Sequence, residues 1–241
     1  MIRMPARILS LLLLLSSLWL LCTSVLAGNA EQLARKKCPG LATWEARHLK
    51  TQASDKTGIP ALPSLRAQLL AMEQRDQKAR DQFLQKGGSA ASLAELVRVD
   101  AENLKQLKRI IRRYGVPDVS QVGRDGMGSL WLLTQHASAD VSLQKVVLSK
   151  LRDRPGDIDT VEIAMLTDRI LLGEGKPQVY GTQFHEVHGK LVPYKIKDEK
   201  SVDARRAKMG LMPLADYQCA MNVSPPTTDG GGQTSSSSTD H

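Results

Sequence analysis

Gln135 and His136 stand in "WLLTQHA", the most apolar helical stretch after the N-terminal leader. A buried amide or imidazole without partners costs about 1–3 kcal/mol, so both side chains must be bonded, either to the protein or to a ligand. If helix continues through "ASAD", Asp140 lies four residues beyond His136, and Gln144 four beyond that, on one stripe. Two readings follow. His136 is either a satisfied core histidine that orients neighbouring helices, or a general base held by a carboxylate.

A second cluster lies in "DRILLGEGKPQVYGTQF", from Asp168 to Phe184. Asp168 and Arg169 fall one turn from the end of an aliphatic helix, where arginine can reach C-terminal carbonyls or an anion and the aspartate can anchor it; a structural ion pair is the alternative. Read as a strand, the following residues place Gln178, Tyr180, Thr182 and Phe184 on one side, and Val179, Gly181, Gln183 and His185 on the other. Glycine weakens a strand, so Gly181 marks a bulge or the close approach of a backbone or ligand.

Together these residues predict a pocket between the Gln135-His136 helix and a hairpin. Arg80, Gln135, Arg169, Gln178, Tyr180, Gly181, Thr182 and Gln183 would hold a small polar or anionic ligand, with His136 beside them. A hydrolase is the second reading: His136 as base, Asp140 or Asp168 orienting it, and Tyr180 or Thr182 near the scissile group. In the third, a structural module, every polar group is satisfied internally.

No metal or cofactor is expected. "HEVH" places His185 and His188 three apart, which on a strand puts them on opposite faces, and no third ligand stands at a zinc spacing. GxSxG, HExxH, Walker and dinucleotide patterns are absent.

The elements that must position these groups begin after residue 27. Arg3 and Arg7 precede "ILSLLLLLSSLWLLC", and Val25 and Ala27 occupy signal-peptidase positions, so residues 1–27 read as an export signal and the chain as periplasmic or extracellular. An uncleaved anchor, or a lipid on Cys22, is the only membrane attachment expected. Loss of Arg3 and Arg7 lowers the formal charge from +8 by two, to +6. With no run of basic residues and no aromatic-basic interleaving, nucleic acid is not an expected partner. Cys38 and Cys219 survive processing, and an oxidising compartment favours joining them; two separate thiols is the alternative, because spacing alone does not bring their Cα atoms within about 7 Å.

Residues 28–62 form a polar lead-in with one short helix at "LATWEARHLK". From residue 63 to 221 the periodicity predicts one mainly α domain of five to six helices. A long helix starts at Leu65 and ends at Gly87-Gly88; Asp100 caps the next, which stops at "GVP"; "DGMGSLWLLTQHAS", apolar on nearly all sides, is a buried central helix. "DVSLQKVVLSKLR" and "DIDTVEIAMLTDRILLG" are two more. The period changes to two after Gly175, predicting a small antiparallel β-hairpin at about 177–196. "SVDARRAKMG" returns to helix, "PLADYQC" gives a short turn of it, and residues 222–241 are low-complexity and expected to be disordered.

"MEQRDQKAR" (with Met72, Asp76, Gln77 and Arg80), "YGVP", "WLLTQHA", Gln144, "DRILLGEGKPQVYGTQF" and "VDARRAKMGLMPLADY" together resemble a bacterial family defined as a domain of unknown function, over about Leu65 to Tyr217. Ser138 stands where that family's pattern has an aspartate two residues after the histidine, while Asp140 is retained. The resemblance implies one helical domain and carries no activity with it.

Overall fold

A computed structural model of the chain describes residues 35–48 and 58–223. The expected export signal and the low-complexity tail beyond Val223 lie outside the described residues. Helix α1, Pro39–His48, is the short helix of the lead-in. It is followed by α2 Pro63–Gln85, α3 Ala90–Tyr114, α4 Val119–His136, α5 Val141–Arg152 and α6 Thr160–Gly173, then strands β1 Phe184–Val187 and β2 Lys190–Pro193, and finally α7 Val202–Lys208 and α8 Leu214–Val223. The mainly α architecture with one antiparallel hairpin is the one the periodicity predicts.

Helix starts follow local chemistry. Pro63 opens α2, where its missing N–H costs nothing. Asp118 and Gln121 close a reciprocal capping box at the head of α4: the Gln121 N–H donates to Asp118 Oδ1, and the Asp118 N–H to Gln121 Oε1, each at 3.1 Å. The helix kinks at Gly123, whose φ of 73° suits glycine. At the other end of α2, Gly87 and Gly88 take φ of 58° and 69° and turn the chain into α3.

The start of α3 differs from expectation. Ser89, not Asp100, is its N-cap, with the side chain accepting from the Ser92 N–H. The polar "GGSA" stretch already satisfies the first turn, so "ASLAELVRVD" becomes helix and Asp100 stands mid-helix.

Helix α4 is the central element, as its apolar circumference requires. Met127, Leu130 and Leu133 pack with Leu65, Leu69 and Met72 of α2, Leu107 and Ile110 of α3, Val147 and Leu151 of α5, and Leu166 of α6. Each large side chain removed from water in this way contributes about 1.5–3 kcal/mol. The most extensive helix pairing is α2 against α4, and these two carry most of the site.

The hairpin is shorter than predicted. Phe184 pairs with Pro193 and Val187 with Lys190, across a turn in which His188 and Gly189 both have positive φ, 51° and 75°. Residues 178–183 are not strand. Gly181 has φ +66°, so the alternation of faces expected there fails, and a single bridge from Gln178 to Ile196 ties the segment down.

A satellite cluster joins the α1 segment to α8. Cys38 and Cys219 form a disulfide with Cα atoms 5.9 Å apart. Cys38, Leu41 and Met212 are buried around it, with Trp44 and Tyr217 packed alongside. The Trp44 Nε1–H donates to the Gly210 carbonyl at 2.8 Å.

Candidate functional site

The apolar stripe of α2, Leu65, Leu69 and Met72, runs on at helical spacing into Asp76 and then Arg80, both buried. An acid and a base four residues apart on an apolar face must find partners in the helices packed against them. They find them at the last turn of α4 and the middle of α3. Asp76 is fully buried, and its Oδ2 lies 2.8 Å from Nδ1 of His136. Gln77 donates to the same oxygen at 3.1 Å, and Asn103 of α3 reaches Oδ1 at 3.5 Å.

Arg80 is shared. Its Nε–H donates to Nε2 of His136 at 3.3 Å, and its Nη2 to Asp100 at 3.0 Å, while Asp76 lies 3.5 Å from Nε. A guanidinium has no lone pair to offer, so Nε2 presents its own lone pair to Arg80 and the ring proton sits on Nδ1, facing Asp76. Burial pushes the Asp100 carboxyl above its ordinary value, against the pull of Arg80.

Beside this cluster lies a cleft of about 350 Å³. Arg80, Asp100, Gln135, His136 and Arg169 supply its polar lining; Val97, Ala101 and Leu104 of α3, with the Ala137–Ala139 turn, supply the rest. Gln135 is 1% exposed, and neither its Nε2 nor its Oε1 has a hydrogen-bond partner. Nη1 of Arg80 is in the same condition.

Of the residues singled out from sequence, Arg80, Gln135, His136 and Arg169 thus meet at one cleft. Asp140 does not join them. The helix stops at Ala137, and Asp140 starts α5 as its N-cap, accepting from the Leu143 N–H at 2.9 Å and pairing with Lys108 at 2.6 Å. Lys108 holds its carboxyl below the usual range. Gln144 braces the break by donating to the Thr134 and Gln135 carbonyls at 3.0 and 3.3 Å.

Asp168, Gln178, Tyr180, Gly181, Thr182 and Gln183 assemble elsewhere, into a sewn loop. Asp168, fully buried, accepts from the N–H groups of Val179 at 2.7 Å, Tyr180 at 3.1 Å and Thr182 at 3.0 Å, and from the Thr182 hydroxyl at 3.0 Å. Burial still raises its carboxyl above the ordinary value, against those four donors. Gln178 donates to the Gln183 and Tyr194 carbonyls, and its Oε1 accepts from the Gln183 N–H at 2.9 Å. From below, fully buried Arg206 donates to the Tyr180 and Met212 carbonyls at 2.6 Å and lies over the Tyr217 ring.

None of these loop residues lines the cleft. The polar side chains of Gln178 and Thr182 are consumed in holding this backbone. Gly181 supplies a left-handed turn packed against Ile196 and Leu214. The expected juxtaposition of the Gln135-His136 helix and the hairpin is therefore replaced by a cleft among α2, α3, α4 and α6.

His185 packs against Tyr194 with ring centroids 4.4 Å apart and the planes tilted by 40°, and His188 sits in the turn. Among the described residues, no group of three His, Cys, Asp or Glu side chains is placed to hold a metal ion. Sequence reasoning missed Asp76, Asp100 and Asn103 as members of the site, and Arg206 as the loop's support. The legible signal was Asp76 itself, an acid continuing an otherwise apolar helix stripe.

A family model described as a family of unknown function (DUF6624) matches residues 63–224. No curated protein and no solved structure matches the chain.

Proposed function

We propose that this chain, which belongs to the DUF6624 family of unknown function, is an exported domain that binds a small polar or anionic ligand in the cleft beside Arg80, Gln135, His136 and Arg169. The observation that carries the reading is the cleft, whose lining brings Arg80, Gln135, His136 and Arg169 together. The Gln135 carboxamide is buried with donor and acceptor both unmet, and each such group costs about 1–3 kcal/mol unless something meets it. Asp76, Asn103 and Asp100 hold Arg80 and His136 in place, as a preorganised recognition site requires. The cleft is of a size suited to small molecules, which occupy sites of roughly 300–1,000 Å³.

The test is Gln135→Leu. As a ligand group, Gln135 should be dispensable for folding, and its loss should abolish retention of a co-purified small molecule in native mass spectrometry. In a structural module, replacing an orphaned amide by an apolar side chain of similar shape should raise the melting temperature and change nothing else. Export has its own test: the intact mass of envelope material should correspond to a chain beginning at Gly28. Residues 1–27 still attached, or a lipid on Cys22, would overturn it. Among the described residues, no helix is long and apolar enough to cross a membrane.

The Asp76–His136 contact favours one second reading, a hydrolase in which Asp76, in place of Asp140 or Asp168, orients His136. For His136 to act as base, Arg80 must first leave Nε2. Hydrolysis of p-nitrophenyl acetate by the wild-type chain, lost in His136→Ala and raised in Arg80→Gln, would support it; no turnover above buffer would exclude it for activated esters.

A further inference from the structure

We infer that the outer face of α3 docks a linear acidic polysaccharide, one bearing a carboxylate on each sugar, along Lys105, Arg109 and Arg112, with Arg113 at their end. None of these residues lines the cleft, and the surface stands independently of the ligand proposed there.

Residues 105–113, "KQLKRIIRR", hold five cations and no acid. No unbroken basic run marks them in the sequence, because most come three or four apart; the helix gathers them. At about 100° per residue, Lys105, Arg109 and Arg112 fall within about 60° of one another and span about 10 Å along the axis. They stand opposite Leu107 and Ile110, which the core buries. All three are exposed, and among the described residues no acid pairs with any of them. Elsewhere on α3 the cations are matched: Arg98 is held by Glu95 and Glu102, and Lys108 by Asp140 at 2.6 Å.

Like charges three and four residues apart repel, so the stripe destabilises the free helix. The C-terminal dipole of α3 favours Arg112 and Arg113, which lie in its last turn. It does not reach Lys105 and Arg109, which lie before that turn. A polyanion that neutralises the stripe supplies the counter-charge that the fold leaves out.

The character of the surface selects the partner. Between Lys105 and Arg113 no large apolar side chain is exposed, so the face lacks the apolar centre of a protein–protein interface and the apolar edge that an interfacial helix sinks into a bilayer. Single-stranded nucleic acid needs aromatic platforms, and the neighbouring Tyr114 already carries Arg113 on its ring, with the guanidinium 5.1 Å from the centroid. What fits is an extended polymer of repeated carboxylates, each of which a guanidinium fork can meet with two parallel bonds.

The probe is an oligogalacturonate of defined length, labelled at its reducing end and followed by fluorescence anisotropy at rising sodium chloride. It should bind with an affinity that falls steeply with salt, as counterions are released. Lys105→Gln with Arg109→Gln, and separately Arg109→Gln with Arg112→Gln, should each weaken binding about tenfold or more and flatten the salt dependence. The first pair should melt no lower than wild type. Arg75→Gln with Lys78→Gln removes the same charge from the exposed face of α2 and should leave binding within about twofold of wild type. An equal loss in that control would show that only net charge is sensed, and would overturn the stripe. No binding at low salt, or tighter binding of a single-stranded DNA oligonucleotide or of phosphatidylglycerol vesicles than of the oligogalacturonate, would overturn the polysaccharide. Loss of the fold in Lys105→Gln with Arg109→Gln would mark these cations as structural and overturn the proposal as well.

Discussion

Arg80 directs its Nε–H at Nε2 of His136 across 3.3 Å, and in doing so places the ring proton on Nδ1, the nitrogen that faces Asp76. A residue on α2 thereby sets the hydrogen-bonding identity of a residue on α4. Nitrogen-15 NMR should show His136 protonated at Nδ1 with Nε2 bare, and Arg80→Gln should let the two tautomers mix. A proton on Nε2 in the wild-type chain would mean that Arg80 is oriented otherwise.

We predict that Asp76→Ala costs about 3–5 kcal/mol in urea denaturation, because it strips the acceptor from His136, Gln77 and Asn103 at once inside the core. His136→Ala should cost about 1–3 kcal/mol. The double variant should lose less than the sum, with a coupling of about 1 kcal/mol or more. Additive losses would show that the 2.8 Å contact carries no energy of its own.

Asp100 gives the site a pH dependence of definite sign. Its folded carboxyl titrates above its ordinary value, chiefly through burial. The native state therefore holds that proton more tightly than the unfolded chain, so the group's stabilising contribution is complete below the unfolded value and is lost as pH rises through the folded one. As pH rises from the ordinary carboxylate range through the higher folded value, Asp100→Asn should gain stability relative to wild type. The slope is diagnostic, since removing a partner of Arg80 shifts the offset independently. A relative slope of opposite sign would show that the Arg80 ion pair outweighs burial.

The sewn loop should separate cleanly from the cleft. A Cβ at Gly181 would stand 2.8 Å from Ile196 Cδ1 and 2.9 Å from Leu214 Cδ1, at a φ of +66°. Gly181→Ala should thus cost about 1–3 kcal/mol. Asp168→Ala, which orphans three backbone N–H groups, should cost about 3 kcal/mol or more. In both, the folded fraction should retain the co-purified small molecule in native mass spectrometry as wild type does. A loss of affinity without loss of melting temperature would return this loop to the site.

Periodicity made α2, α3, α5 and α6 legible because each buries a face against α4, and burial imposes a 3.6-residue rhythm that survives without neighbours in view. Residues 178–183 were opaque for the opposite reason. Their alternation of polar and apolar types imitates a strand, yet the bonding partner is Asp168, ten residues before Gln178, and no local rule announces it. The site was half visible. His136 and Gln135 stood out as polar groups in an apolar helix, whereas the carboxylate that holds His136 comes from Asp76, sixty residues away, and the nearer Asp140 was a decoy once the helix broke at Ala137.

The Cys38–Cys219 bond also changes what a broken chain would mean. It joins positions 181 apart, so nearly everything described between them is a covalently closed ring, and the exposed Lys86-Gly87-Gly88 turn lies on its circumference. One protease cut there opens the ring without dividing the molecule: the product should run as a single species until reductant is added, then fall into two. Because α2 and α4 are packed together from opposite sides of that cut, the nicked ring should keep both its fold and its cleft, an autonomy of shape from backbone continuity that one covalent bond outside the helical core secures.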